Sequence, residues 1–454
     1  MEKTMKTRKK TGKIMQMGLL IIILTTVLCL SGCSAKEQKE QKGVCRNLIT
    51  AVSFVQKMER TDENVAEKML ASSEYILSPW ELQGIQDHVI DWQNPELEMA
   101  VRKEINIYDR EIWLRDVWNI TGLSVVGIKG NLEALGELKN LKNLFLFLQD
   151  TTDLSVLAEL QNLTEFGFWS YATQDIGVLA DLPNLKKFWF GADDIRNIDA
   201  IGCLTQLESL DIYGVDSLQD FSFLANLDNL SSLLLYTDGI KDLTPVGNLK
   251  RLEKLDIQNA YITDISPLRE LYNLQQIILY TPNVEDIASI KDLTHLRSIV
   301  IHKSKISDIS MLGNLTELEE LRIWESEIEN IGVTENYPAL KVLDFRNNKI
   351  EDIHALAGMT QIEKIDLSHN NIKDIEALRE LTGLEELNLC DNHIQDISAL
   401  ENHTNLNVLY LWKNEISDIT PLQDLTNLRE LDVTRNPVSD YSCVEFVPYL
   451  NELQ

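Results

Sequence analysis

Cysteine and histidine are the residue types that most often carry chemistry, and their spacing here limits what the chain can do. The sequence holds six cysteines without a C-x-x-C pair, so it predicts neither a zinc site nor a disulfide framework. Its seven histidines form no H-E-x-x-H pattern, and neither G-x-S-x-G nor a phosphate-binding glycine loop occurs. Cys390 and His369 could approach each other across strands, but no orienting residue or oxyanion site accompanies them. We therefore expect no catalytic residue, metal or cofactor.

One cysteine has a different context. Residues 1–18 are basic and polar, and residues 19–30 (LLIIILTTVLCL) form an apolar run too short to span a bilayer. The following Leu30-Ser31-Gly32-Cys33 resembles the bacterial lipobox, in which the cysteine receives diacylglycerol after cleavage. The sequence thus predicts a signal peptide over 1–32, lipidation at Cys33 and a polar tether over 33–43. The predicted location is the extracytoplasmic face of a bacterial membrane. An uncleaved anchor, or secretion with an incidental cysteine, is the alternative.

A third set of residues is suited to binding. Aromatic rings recur at intervals of 22 or 23 residues, or twice that, with a second series two positions earlier. We call this set the aromatic track: Phe145, Phe147, Trp169, Trp189, Tyr213, Tyr236, Tyr280, His302, Trp324, Tyr410 and Trp412. A contiguous run of large rings usually marks a protein interface, because such rings bury area at low entropic cost. Two alternatives remain open: the rings could stack on sugars, or they could only stack on one another along a sheet.

The elements that position these rings follow from the repeat L-x-x-L-x-L-x-x-N-x-I-x-D-I-x-x-L. Its first position recurs fourteen times between Leu141 and Leu428, every 22 residues apart from one step of 23. This period and the run L-x-x-L-x-L-x-x-N are the signature of leucine-rich repeats. Apolar positions 4 and 6 predict a short strand with one buried face, and the return path is too short for a long helix. Positions 5 and 7, which carry the track, then face out from a concave parallel sheet.

Two polar ladders run through the repeats. Position 13 is Asp in twelve units and Asn in two, and it is suited to cap the free N–H groups of the following turn. A calcium-binding acidic stripe is the alternative. Position 9 is Asn in the last five units (Asn348, Asn370, Asn392, Asn414 and Asn436), which predicts a buried ladder that satisfies backbone groups.

The segment before the repeats predicts a cap. A helix is expected over residues 95–105, with Asn94 as its N-cap and Pro95 in the first position. Together with 114–117 and 120–123, this segment looks like the helical cap of internalin-type proteins. The resemblance spans residues 94–440, including the D-I-x-x-L ending of the units. It implies a bacterial surface protein that binds other proteins through its concave face, although the lipobox replaces the wall anchor of many members.

The predicted organisation is a helical N-terminal region and cap over 44–120, a leucine-rich repeat array over 121–440 and a C-terminal cap over 441–454. The fold class is an α/β solenoid: a leucine-rich repeat horseshoe with a 3₁₀ or irregular convex side. The formal net charge of −29 argues against nucleic acid as a ligand. We therefore predict a non-enzymatic surface lipoprotein that binds a protein, with a glycan as the alternative ligand.

Overall fold

The computed structural model describes residues 80, 84–150, 152–172, 174–312, 315–332 and 337–451. The predicted signal peptide, the Cys33 lipidation site, the tether and residues 44–79 lie outside this part of the chain. Within it, no helix is long and apolar enough to cross a membrane.

Sixteen strands of the described residues form one parallel sheet, which confirms the predicted leucine-rich repeat solenoid. The strands are β1 (Gly122–Ile128), β2 (Asn143–Leu148), β3 (Glu165–Ser170), β5 (Lys187–Gly191), β7 (Ser209–Tyr213), β8 (Ser232–Tyr236), β9 (Lys254–Gln258), β10 (Gln276–Tyr280), β11 (Ser298–His302), β12 (Glu320–Trp324), β13 (Val342–Asp344), β14 (Lys364–Asp366), β15 (Glu386–Asn388), β16 (Val408–Tyr410), β17 (Glu430–Asp432) and β18 (Tyr449–Asn451). Two short strands, β4 (Gln174–Asp175) and β6 (Ile195–Arg196), pair separately. The last strand, β18, lies in the segment predicted as the C-terminal cap.

The register of the sheet places equal repeat positions side by side. Ile277 of β10 pairs with Leu255 of β9 and with Ile299 of β11, all at position 4 of their units. Positions 4 and 6 are fully buried along the array, whereas positions 5 and 7 are mostly half-buried. A single unit cannot cover its apolar face, so neighbouring units supply the core for each other.

Short 3₁₀ turns, such as Ser266–Glu270 and Ser398–Leu400, form the return path. The Asp at position 13 precedes each turn, and its Oδ1 accepts the N–H two residues later, as Asp264 does from Ser266 at 2.7 Å. This hydrogen bond lowers the pKa of Asp220, whose partner is the N–H of Ser222. The capping prediction is confirmed. In the described part of the chain, no three His, Cys, Asp or Glu side chains are grouped so that they could hold a metal ion.

The predicted asparagine ladder is confirmed. Asn392 Nδ2 donates to the carbonyl oxygens of Leu367 at 3.0 Å and Leu389 at 3.1 Å, and its Oδ1 accepts from the N–H of Ile372 at 3.0 Å. The preceding residue, Asp391, has a left-handed φ of 53°, and position 8 is left-handed in seven consecutive units. The asparagine therefore satisfies backbone groups where the chain leaves the strand.

Helix α1 (Pro95–Ile105) has the predicted bounds, and Asn94 caps it by accepting the N–H of Leu97 at 3.1 Å. Asn94 Nδ2 also donates to the carbonyls of Lys129 and Asn131, which ties the helix to the loop after β1. Leu97 and Val101 are fully buried where α1 packs against β1. A second helix, α2 (Leu114–Val117), follows.

Candidate functional site

All eleven residues of the aromatic track lie at positions 5 or 7 of the sheet, and every one is half-buried. Most of them contact another aromatic ring, which covers part of their surface. The structure thus shows the ring stacking that the sequence left as an alternative. A binding role for these rings stays a prediction. Two glycines and several charged residues determine the shape and charge of the surface that the rings present to solvent.

At the N-terminal end, two indoles lie across glycines. A Cβ on Gly167 would lie 1.9 Å from Cε2 of Trp189, and one on Gly191 would lie 2.5 Å from Cζ3 of Trp169. Because Gly167 has no side chain, the Trp189 ring crosses β3 and stacks on Phe145 with 4.8 Å between centroids. Glycine at position 5 or 7 beside a tryptophan is the signal that could have identified this packing.

Tyrosines and buried carboxylates occupy the centre of the face. Trp169 leans on Tyr213 with 6.1 Å between centroids, and Tyr213 meets Tyr236 edge to face at 5.7 Å. The Tyr236 hydroxyl donates to Asp256 Oδ2 at 3.2 Å. Burial raises the pKa of both Asp211 and Asp256 to about 6. Sequence reasoning missed these two carboxylates, although both occupy position 5, where a charge must face the concave side.

Further along, the longer run of the track ends at Trp324, beside a cationic side chain. The Tyr280 ring meets His302 edge to face at 5.0 Å, and His302 lies 5.4 Å from Trp324. The Arg346 guanidinium lies over the Trp324 ring at 4.9 Å from its centroid, which is a cation–π contact. His302 Nε2 also lies 3.2 Å from Glu325 Oε1.

The face then turns polar. Asp344 is 2% exposed, and its Oδ2 lies 3.6 Å from both Arg322 and Arg346. Asp366 accepts the Ser368 hydroxyl and, at 3.0 Å, the Asn388 amide. The charged groups on these strands are therefore paired within the chain.

Two further rings of the aromatic track, Tyr410 and Trp412, lie near the C-terminal end of the sheet. The Trp412 ring carries the Arg435 guanidinium at 5.1 Å from its centroid, and His369 lies 6.3 Å away. Tyr410 has a pKa raised to about 12, chiefly by burial. This pair is separate from the longer run between Phe145 and Trp324.

Cys390 and His369 are not arranged for nucleophilic catalysis. The His369 ring contacts Asp391 rather than the Cys390 thiol, with 2.9 Å between Nδ1 and Oδ2. Burial raises the pKa of the Cys390 thiol to about 12, so the thiolate that would attack a substrate is scarce at neutral pH. A polar groove lined by Glu351, Lys373 and His393 lies among the loops, away from the aromatic track.

Comparisons with known proteins agree with this architecture. The family description "Leucine rich repeat" matches residues 316–372, and "Leucine Rich repeats (2 copies)" matches 360–402 and 404–444. No curated protein sequence matches the chain.

Solved structures extend the similarity beyond these segments. An internalin, InlF from Listeria monocytogenes, is 27% identical, with a TM-score of 0.57, over 75% of this chain and 95% of the internalin. A leucine-rich repeat protein of Leptospira interrogans is 19% identical, with a TM-score of 0.61, over 74% of this chain and 97% of its own. The functional domain of InlJ from Listeria monocytogenes is 17% identical, with a TM-score of 0.56, over 77% of this chain and 81% of its own. The chain is an internalin-like leucine-rich repeat protein.

Proposed function

We propose that this chain is a non-enzymatic surface lipoprotein that binds a protein partner through the aromatic track. The observation that carries the proposal is the placement of the track: seven of its rings line consecutive or near-consecutive strands from β2 to β12 at position 7. Leucine-rich repeat solenoids commonly use this concave surface for binding. Half-buried rings that already hold each other in place lose little entropy when a partner covers them.

Charge restricts the partner. With a formal net charge of −29, the chain repels nucleic acid and attracts a basic or neutral protein surface. The arginines beside Trp324 and Trp412 stand at the edges of the aromatic runs. They supply hydrogen-bond donors at an edge of the surface, as rim residues of protein interfaces do.

The test compares the full-length chain with a Trp169→Ala/Tyr236→Ala/Trp324→Ala variant against arrays of purified extracellular proteins and of glycans. A matched control carries Tyr261→Ala and Tyr272→Ala, two tyrosines that are 60% and 57% exposed outside the track. We expect protein ligands that the track variant loses by at least tenfold in affinity and the control retains. Glycan ligands alone would contradict a protein partner. Equal binding by all three folded forms would reduce the track to a structural feature.

Anchoring has a separate test. Bacteria that express the full-length chain are fed an alkyne-tagged fatty acid, and the label on the protein is compared with that on Cys33→Ser. We expect the label to be lost in the variant, and the protein to leave the membrane fraction. A label that persists on Cys33→Ser would contradict lipidation at this residue.

A further inference from the structure

A cluster at the centre of the concave face combines two carboxylates with two tyrosines. We call Asp211, Tyr213, Tyr236 and Asp256 the acid–tyrosine cluster. Asp211 and Asp256 occupy position 5 of β7 and β9, on either side of the half-buried Leu234 of β8. Each carboxylate raises the pKa of the Tyr213 hydroxyl, so both lie close enough to act on the same group.

The carboxylate of Asp256 is incompletely satisfied. This residue is 7% exposed, and its Oδ2 accepts only the Tyr236 hydroxyl at 3.2 Å. Its Oδ1 is buried, and no hydrogen-bond partner for it occurs among the described residues. A buried carboxylate oxygen without a donor costs free energy, since it has lost water and gained nothing in return.

Other acids on the same face show how the chain satisfies a carboxylate that it uses for structure. Asp344, at the same repeat position, lies between Arg322 and Arg346. Asp432 accepts both the N–H and the hydroxyl of Thr434. Among the described residues, no cationic side chain forms a salt bridge with either carboxylate of the acid–tyrosine cluster, so the half-buried Asp211 is open to a cation from outside the chain, and Asp256 adds its charge beside it.

We propose that the acid–tyrosine cluster binds the side chain of a basic residue, with arginine preferred, on the protein partner. The inference rests on the proposed function and names the group that the concave face recognises. A guanidinium can lie flat against a tyrosine ring while its N–H groups donate to the carboxylate of Asp211 and its charge is attracted by the carboxylate of Asp256. Leu234 supplies an apolar floor against which the arginine stem packs.

The groups around the two carboxylates determine how cation binding by the acid–tyrosine cluster depends on pH. The charged or titratable groups that face the carboxylates are Lys187 of β5, Tyr213 of β7, Tyr236 of β8, Lys254 of β9 and Tyr280 of β10. Both lysines are exposed, and they lower the pKa of Asp211 without offsetting the effect of burial. Because protonation near pH 6 removes the negative charge, the affinity for a cation falls as the pH drops from 7.5 to 5.

The test uses N-acetyl-arginine amide as the probe and N-acetyl-citrulline amide, which has nearly the same shape but no charge, as its control. Binding to the full-length chain is measured by saturation-transfer NMR at pH 7.5 and pH 5. We expect the arginine probe to bind at least tenfold more tightly than the citrulline probe at pH 7.5. Asp211→Asn/Asp256→Asn should abolish that preference, and Asp432→Asn, a matched change at position 5, should retain it.

The outcomes separate this inference from the proposed function. Equal binding of the two probes, or equal loss in Asp432→Asn, overturns the acid–tyrosine cluster as a cation site. A protein ligand whose affinity is unchanged in Asp211→Asn/Asp256→Asn also overturns it, while protein binding by the track stands. An arginine preference without any protein ligand supports the cluster and counts against the proposed function. Circular dichroism confirms that each variant is folded.

Discussion

Removing the charge of Asp256 should stabilise the protein at neutral pH, although most substitutions in a folded core destabilise it. Burial raises the pKa of this carboxyl from 3.8 to about 6. The folded state therefore binds more protons than the unfolded state between these values, and stability falls as the pH rises through that window. Above pH 6 the full penalty applies, about 3 kcal/mol at 1.4 kcal/mol per pKa unit.

Asp256→Asn removes that penalty but not without cost. The amide oxygen can still accept the Tyr236 hydroxyl, whereas the amide N–H₂ takes the place of an oxygen that has no partner in the described part of the chain. An unsatisfied buried amide costs about 1–2 kcal/mol, so the net gain is about 1–2 kcal/mol at pH 7.5. At pH 4.5 the native carboxyl is already neutral, and we expect the variant to be no more stable than the wild type.

The assay is urea unfolding followed by far-ultraviolet circular dichroism at both pH values, with Asp432→Asn as the control. Asp432 is hydrogen-bonded to Thr434, so its substitution should bring no gain at either pH. An Asp256→Asn variant that is less stable than the wild type at pH 7.5, by an amount independent of pH, would refute the reasoning. It would mean that the carboxylate is satisfied in solution and belongs to the fold.

Three further predictions concern packing, the ladder and the thiols. Gly167→Ala should displace the Trp189 indole from its stack on Phe145, because the added Cβ would lie 1.9 Å from the ring. We expect a loss of near-ultraviolet ellipticity and of about 1–3 kcal/mol of stability, and an unchanged spectrum would contradict the stacking. Asn392→Ala leaves the N–H of Ile372 without its acceptor, whereas the carbonyls of Leu367 and Leu389 keep the amides of Asn370 and Asn414, so urea unfolding should show a loss of about 1–3 kcal/mol. Asn392→Asp should be no better, because its carboxylate would face these carbonyl oxygens, and a loss below about 1 kcal/mol would argue against a buried ladder. Iodoacetamide at pH 8 should modify the exposed Cys203 much faster than Cys390, because burial raises the pKa of the Cys390 thiol. Mass spectrometry of the native chain measures the two rates, and equal rates would disprove the prediction.

Much of the fold could be predicted from the sequence because the determining contacts repeat. An apolar residue at positions 4 and 6 of every unit faces the same core, so a correct interpretation of one unit predicts the structure of the others. The capping Asp264 acts two residues away and the α1 cap Asn94 three residues away, so local spacing reveals both. The asparagine ladder spans units, yet its fixed period makes it equally visible.

The surface of the concave sheet depended on contacts that no local pattern encodes. The contacts that distinguish this surface join side chains on different strands, such as Tyr236 with Asp256 and Phe145 with Trp189, so they depend on the size and charge of lateral neighbours. Trp189 reaches Phe145 only because Gly167 lies between them, and the buried Asp256 accepts its one hydrogen bond among the described residues from Tyr236 on the neighbouring strand. The sequence alone determined that rings and acids face this side. The tertiary structure decided which rings pack against each other, and it left one buried oxygen of Asp256 without a donor among the described residues. The physical reason is that the packing between neighbouring strands differs from unit to unit, whereas the repeat pattern stays the same.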